Sequence, residues 1–125
     1  MADGFNHLDQ GTAEKQELEP DQFETMRVLG FLYLRLGLAP RAARLFQALT
    51  ALAPEDPQVA LSLAAATLED GRPEEALALF DRPPLAAAPP TAASRLLRAR
   101  TLWRLGRQEE TYRIMDEHMA AGGKS

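Results

Sequence analysis

A fixed interval organises this chain. Leu36-Gly37 is followed by Arg41-Ala42-Ala43-Arg44-Leu45-Phe46, and Asp70-Gly71 by Glu75-Ala76-Leu77-Ala78-Leu79-Phe80. Gly37 and Gly71, Ala42 and Ala76, and Phe46 and Phe80 are each 34 residues apart. A third copy opens at Leu105-Gly106, 35 residues beyond Gly71, with Thr111 and Met115 in the places of the alanine and the phenylalanine. Self-similarity at this period marks a unit that cannot bury its apolar face alone and must stack on copies of itself.

Each unit reads as two short helices joined at the glycine. The glycine follows an apolar-periodic run and has no Cβ to oppose the left-handed conformation that ends a helix. Pro40 and Pro73 then fall where a second helix starts, a place that tolerates a missing N–H. Small Ala42 and Ala76 let the paired helices approach, and Phe46 and Phe80 fill the space one turn on. Pro54 closes the first unit, and Pro57 opens the second. The segment from Arg82 to Pro90, with proline pairs at Pro83-Pro84 and Pro89-Pro90, is predicted to be an irregular connector.

With 34-residue helix pairs, and with Leu29, Gly30, Tyr33, Ala42, Phe46 and Pro54 on signature positions, the chain resembles the tetratricopeptide repeat family. The second unit keeps Leu63, Ala64, Ala76 and Phe80 but has Thr67 where a large residue is usual. The third keeps Ala99, Leu102 and Gly106. The resemblance implies an all-α fold of three helix–turn–helix repeats, at about 23–56, 57–91 and 92–121, stacked into a short right-handed solenoid with a concave groove. Residues 1–21 are then an acidic tail expected to lack order, and residues 122–125 a frayed end.

Composition narrows the function classes. With 46% hydrophobic residues among 125 and no long apolar run, no membrane-spanning segment is expected. The N-terminus is acidic and lacks an apolar signal region, so a cytoplasmic location is expected. The absence of cysteine removes disulfides, thiol catalysis and thiolate metal sites together. The net charge of −4 is unevenly placed: residues 1–24 hold seven acids and one base, and the remainder holds 13 bases against 11 acids. Such an acidic segment on a mildly basic body offers a placeholder for the groove, with Phe5 and Leu8 as its anchors.

Catalytic and cofactor signals are missing. His7 and His118 have no neighbouring cysteine and no shared helix face, so no metal is expected. Phosphate-loop, GxSxG and HExxH patterns do not occur. Glu55-Asp56, Glu74-Glu75 and Glu109-Glu110 sit at helix starts, where they complement the helix dipole. Arg95, Arg98, Arg100 and Arg104 lie in one helix, but a body charge of +2 is too weak a field for nucleic acid. An enzyme is therefore not expected, and neither is a cofactor.

In the family that the chain resembles, the first helix of each unit lines the concave surface. That implies groove positions at Glu24, Arg27, Phe31, Leu34 and Arg35, at Gln58, Leu61, Ala65, Leu68 and Glu69, and at Ala93, Leu96, Arg100, Trp103 and Arg104. The apolar strip Phe31, Leu34, Leu61, Ala65, Leu68, Leu96 and Trp103, rimmed by arginines, suits an amphipathic helix or extended peptide, with Trp103 as an anchor. A second copy of the chain is the other candidate occupant. On this reading, Leu61→Glu and Leu68→Glu both abolish partner binding and leave helical content intact.

Over residues 22–120 the chain is also similar to the small tetratricopeptide chaperones of bacterial type III secretion, on its length, three helical pairs, acidic character and first helix at residues 26–37. The YscY-type chaperones stand first and the YscG-type second. The resemblance implies a holdase for a small secretion substrate, of the YscX type or a needle subunit, that docks on the export gate. A scaffold of another pathway using the same groove is the alternative.

Overall fold

The computed structural model describes residues 19–122. The predicted behaviour of the acidic segment, including Phe5 and Leu8, and of the last three residues lies outside the described residues. The described residues form six helices and no strand: α1 Pro20–Arg35, α2 Ala39–Leu52, α3 Pro57–Glu69, α4 Pro73–Phe80, α5 Ala92–Arg104 and α6 Gln108–Ala120. Consecutive helices pack in pairs, α1 with α2, α3 with α4 and α5 with α6. In addition α3 touches α1, and α5 touches α3, so the first helices of the units run side by side along one face of a short solenoid. None of the described helices is long and apolar enough to cross a membrane.

One device ends every first helix. The Gly37 N–H bonds the Leu34 carbonyl at 3.1 Å and the Leu38 N–H reaches back to Tyr33 at 2.8 Å. The same two bonds recur from Gly71 and Arg72 to Leu68 and Thr67, and from Gly106 and Arg107 to Trp103 and Leu102. This double closure satisfies carbonyls that the helix end leaves orphaned, and it needs a residue at positive φ. The three glycines supply it, at 79°, 78° and 77°.

Helix starts are equally local. Asp56 Oδ1 accepts from the N–H groups of Gln58 (2.9 Å) and Val59 (3.4 Å) ahead of α3, with Pro57 in the first turn. Ahead of α5, Thr91 and Ser94 exchange side-chain-to-backbone bonds of 3.1 and 2.8 Å, a reciprocal cap. Proline also opens α1, which begins at Pro20, so Pro20 and Asp21 belong to a helix and not to the preceding acidic segment.

Two clusters form the core. Ala42, Ala43, Phe46 and Leu49 of α2 pack with Val59, Leu63 and Ala66 of α3, joined by the half-buried Tyr33 and Leu34 of α1. Ala64 and Leu68 of α3 pack with Ala76 and Phe80 of α4 and Leu97 of α5. Two buried hydroxyls are satisfied within their own helices. Thr67 donates to the Leu63 carbonyl (2.7 Å) and Thr101 to Leu97 (2.8 Å). Thr67 therefore fills the site of Tyr33 with a small, satisfied side chain.

Gly30 shows how tightly the first pair closes. A Cβ on it would lie 2.5 Å from Cζ of Phe46, whose ring is fully buried. Gly30→Ala is expected to cost about 1–3 kcal/mol through overpacking, seen as a lower denaturation midpoint with an unchanged m-value.

Candidate functional site: an apolar cleft

α4 is only eight residues long, against 14 for α2 and 13 for α6. Its early stop at Phe80 leaves residues 81–90 to cross the gap to α5 by turns. Ala86 N–H bonds the Arg82 carbonyl at 2.9 Å and Ala88 N–H bonds Pro84 at 3.0 Å, so the connector closes on itself. Leu85 at its centre turns back onto the core beside Phe80 and Leu97. Together with the first helices, this connector walls an open cleft of about 1490 Å3.

The cleft floor is apolar. Phe31 of α1, Leu61 and Ala65 of α3, and Leu85 of the connector line it, with Gln58 and Ala93 at the helix starts. Phe31 leans on Phe46 with ring centroids 5.4 Å apart and remains 39% exposed, so it bridges the core and the cleft. Arg27 sits over the Phe31 ring, 5.8 Å from the centroid, and approaches Glu24 at 3.7 Å. Arg95 and Arg98 form the opposite rim. Arg98 faces Asp81 at 3.6 Å, and Arg95 donates to Nδ1 of His118 at 3.2 Å. Small-molecule pockets run to about 300–1,000 Å3. This one is larger and open, a shape that accommodates a peptide segment.

The structure divides the sequence-predicted groove. Arg27, Phe31, Leu61 and Ala65 share the cleft. Leu34 is half-buried against the first core cluster. Leu68 is a correction: it is 0% exposed, packed among Ala64, Ala76, Phe80 and Leu97, and is a core residue. Leu96, Arg100 and Trp103 do not reach the cleft either. They line a separate depression of about 460 Å3 between α5 and α6, where Trp103 stacks at a tilt on Tyr112 with centroids 6.4 Å apart.

The cause is one shared position. Leu34, Leu68 and Trp103 are equivalent in the three units. A following unit packs on the first two, whereas among the described residues no following unit covers the third, which meets Tyr112 of its own unit. Arg35 and Arg104 are exposed on the same helices and line neither depression. Connector residues Asp81, Leu85 and Pro89 line the cleft without having been predicted. The lone leucine between two proline pairs is the only sequence signal for them.

Charge in this region is paired across helices. Arg100 of α5 donates to Glu69 of α3 at 2.8 Å, both largely exposed. Exposed pairs contribute little, so Glu69→Gln is expected to change stability by less than about 1 kcal/mol in chemical denaturation. At the start of α6 the hydrogen bond from Arg107 holds the Glu110 carboxyl below its ordinary value and raises the guanidinium, but neither residue lines the cleft. Among the described residues no cluster of three or more His, Cys, Asp or Glu is arranged to hold a metal ion.

Stacked helix pairs presenting an apolar, arginine-rimmed cleft define a protein-interaction module of the helical-repeat class. A tetratricopeptide repeat family model matches residues 33–101, more than half of the chain, and a second tetratricopeptide repeat model matches residues 92–117. The chain belongs to the tetratricopeptide repeat family. Its members are typically non-catalytic interaction modules. No curated protein matches the chain.

Proposed function

We propose that this protein is a holdase chaperone of bacterial type III secretion, acting in the cytoplasm, which keeps a small secretion substrate soluble in the cleft and hands it to the export gate. The observation that carries the binding part is the open floor of Phe31, Leu61, Ala65 and Leu85 between arginine rims. Apolar surface of this kind takes up an amphipathic helix, at ~25 cal/mol per Å2 buried before ordering costs are subtracted. Arg27 and Arg98 set the orientation of the guest and favour one with acidic flanks. The secretion part is supported by the likeness of residues 26–37 and of the three-repeat length to the YscY-type chaperones, which makes a YscX-type protein the expected guest.

The test is affinity capture of the tagged chain from a bacterium with an active type III system, with mass spectrometry of the eluate. Recovery of a small secreted protein or an export-gate component with wild type, and its loss with Leu61→Glu, is the expected result. Recovery of a needle subunit in its place moves the chain to the YscG-type. Consistent recovery of envelope or regulatory proteins alone removes the secretion assignment and leaves an interaction scaffold.

A further inference from the structure

Several positions that are covered inside the solenoid are left more exposed at its two ends, among the described residues. Ala43, Phe46 and Leu49 are buried because Val59, Leu63 and Ala66 of α3 pack on them, and α3 rests on both helices of the preceding unit. α5 repeats the arrangement on α3 and α4. The spacing from Gly37 to Gly106 places Tyr112, Met115 and His118 of α6 at the equivalents of Ala43, Phe46 and Leu49, with Met119 beside them at the equivalent of the half-buried Thr50. Tyr112 is exposed, Met115 half-buried and Met119 72% exposed. Trp103, the equivalent of the fully buried Leu68, is 51% exposed beside the depression between α5 and α6.

The opposite end carries the other half of the same interface. Leu29 and Leu32 of α1 are the equivalents of Leu63 and Ala66. Ala66 is 0% exposed, but Leu32 is 49% exposed. Val28 and Leu36, both exposed, extend the stripe along that helix face. None of the described residues covers it.

We infer that the occupant of each end is a second copy of this chain, with α1 of one copy lying across α5 and α6 of the next, as α3 lies across α1 and α2. The argument is continuity: the chain builds this helix-on-pair contact twice internally, and each end displays one complementary half of a third. The contact is heterologous, so it leaves a free face at both ends and propagates instead of closing into a two-fold dimer. It is separate from the cleft, and it goes beyond the proposed chaperone role.

Analytical ultracentrifugation of the full 125-residue chain tests it. The weight-average mass of wild type rises with concentration past that of a dimer. Leu32→Glu and Met119→Glu, both on exposed side chains, each stay monomeric at every concentration, with helical circular dichroism confirming that they fold. Val28→Glu replaces Leu32→Glu if that variant loses helix. An equimolar mixture of the α1 variant and Met119→Glu gives a dimer and nothing larger, because the pair retains one intact face of each kind. Wild type that stays monomeric overturns the inference. Assembly that survives in either single variant, or a mixture that stays monomeric, overturns it as well.

Discussion

Phe46→Ala lowers the unfolding free energy by about 3–5 kcal/mol, the range for deleting a fully buried aromatic ring. Phe46 is 0% exposed, it fills the space over Gly30, and it touches both the α1 and α3 sides of the first core cluster. Ala42 and Ala43 beside it are too small to fill the void. Domains of ordinary stability hold only about 5–15 kcal/mol, so a large part of the population loses structure well below the wild-type midpoint. Urea titration followed at 222 nm measures the loss. A cost below about 1 kcal/mol would mean that the first helix pair is loosely closed, contrary to the contact between Phe46 and Gly30.

The second large effect comes from contrasting two leucines of α3, one in the core and one at the cleft floor. Leu68→Glu places an unpaired carboxylate in a site with no exposure, at a cost of several kcal/mol, and the variant is expected to lose helical circular dichroism at room temperature. Leu61→Glu, seven residues earlier on the same helix, stands half-buried at the cleft floor, where the carboxylate turns to water. Its helical signal stays near wild type, and binding of the apolar guest is lost. Equal loss of fold in both variants would place Leu61 in the core, and equal retention would place Leu68 on the surface.

Much of the fold was legible because the repeat's constraints are local. Gly37, Gly71 and Gly106 each end a helix through the same pair of backbone bonds, and Ala42 and Phe46 sit where close helix packing demands a small and a large residue. Part of the cleft was legible from the resemblance, which turns Arg27, Phe31, Leu61 and Ala65 of the first helices toward the concave side; helix spacing by itself supports only the shared face of Arg27 and Phe31. Leu68 and Trp103 were not, since their exposure depends on whether another unit follows, which the unit's own sequence does not contain. The connector was read as irregular, but an aperiodic run of prolines and alanines gives no sign that Leu85 folds back onto Phe80 and Leu97. The partner of Glu69 had the same difficulty. Arg100 lies on another unit, 31 residues away, and only the stacking of α3 against α5 brings it within reach.

The central claim is that a partner segment lies along the floor of the cleft. Site-specific photo-crosslinking addresses it most directly, with a benzophenone amino acid placed at Leu61 in the cleft and, separately, at the exposed Gln47 of α2. In cells that contain the captured partner, the probe at position 61 is expected to give a crosslinked adduct of chain plus partner, and the probe at position 47 none. Adducts from position 47 with none from position 61 would contradict the claim and place the partner outside the cleft.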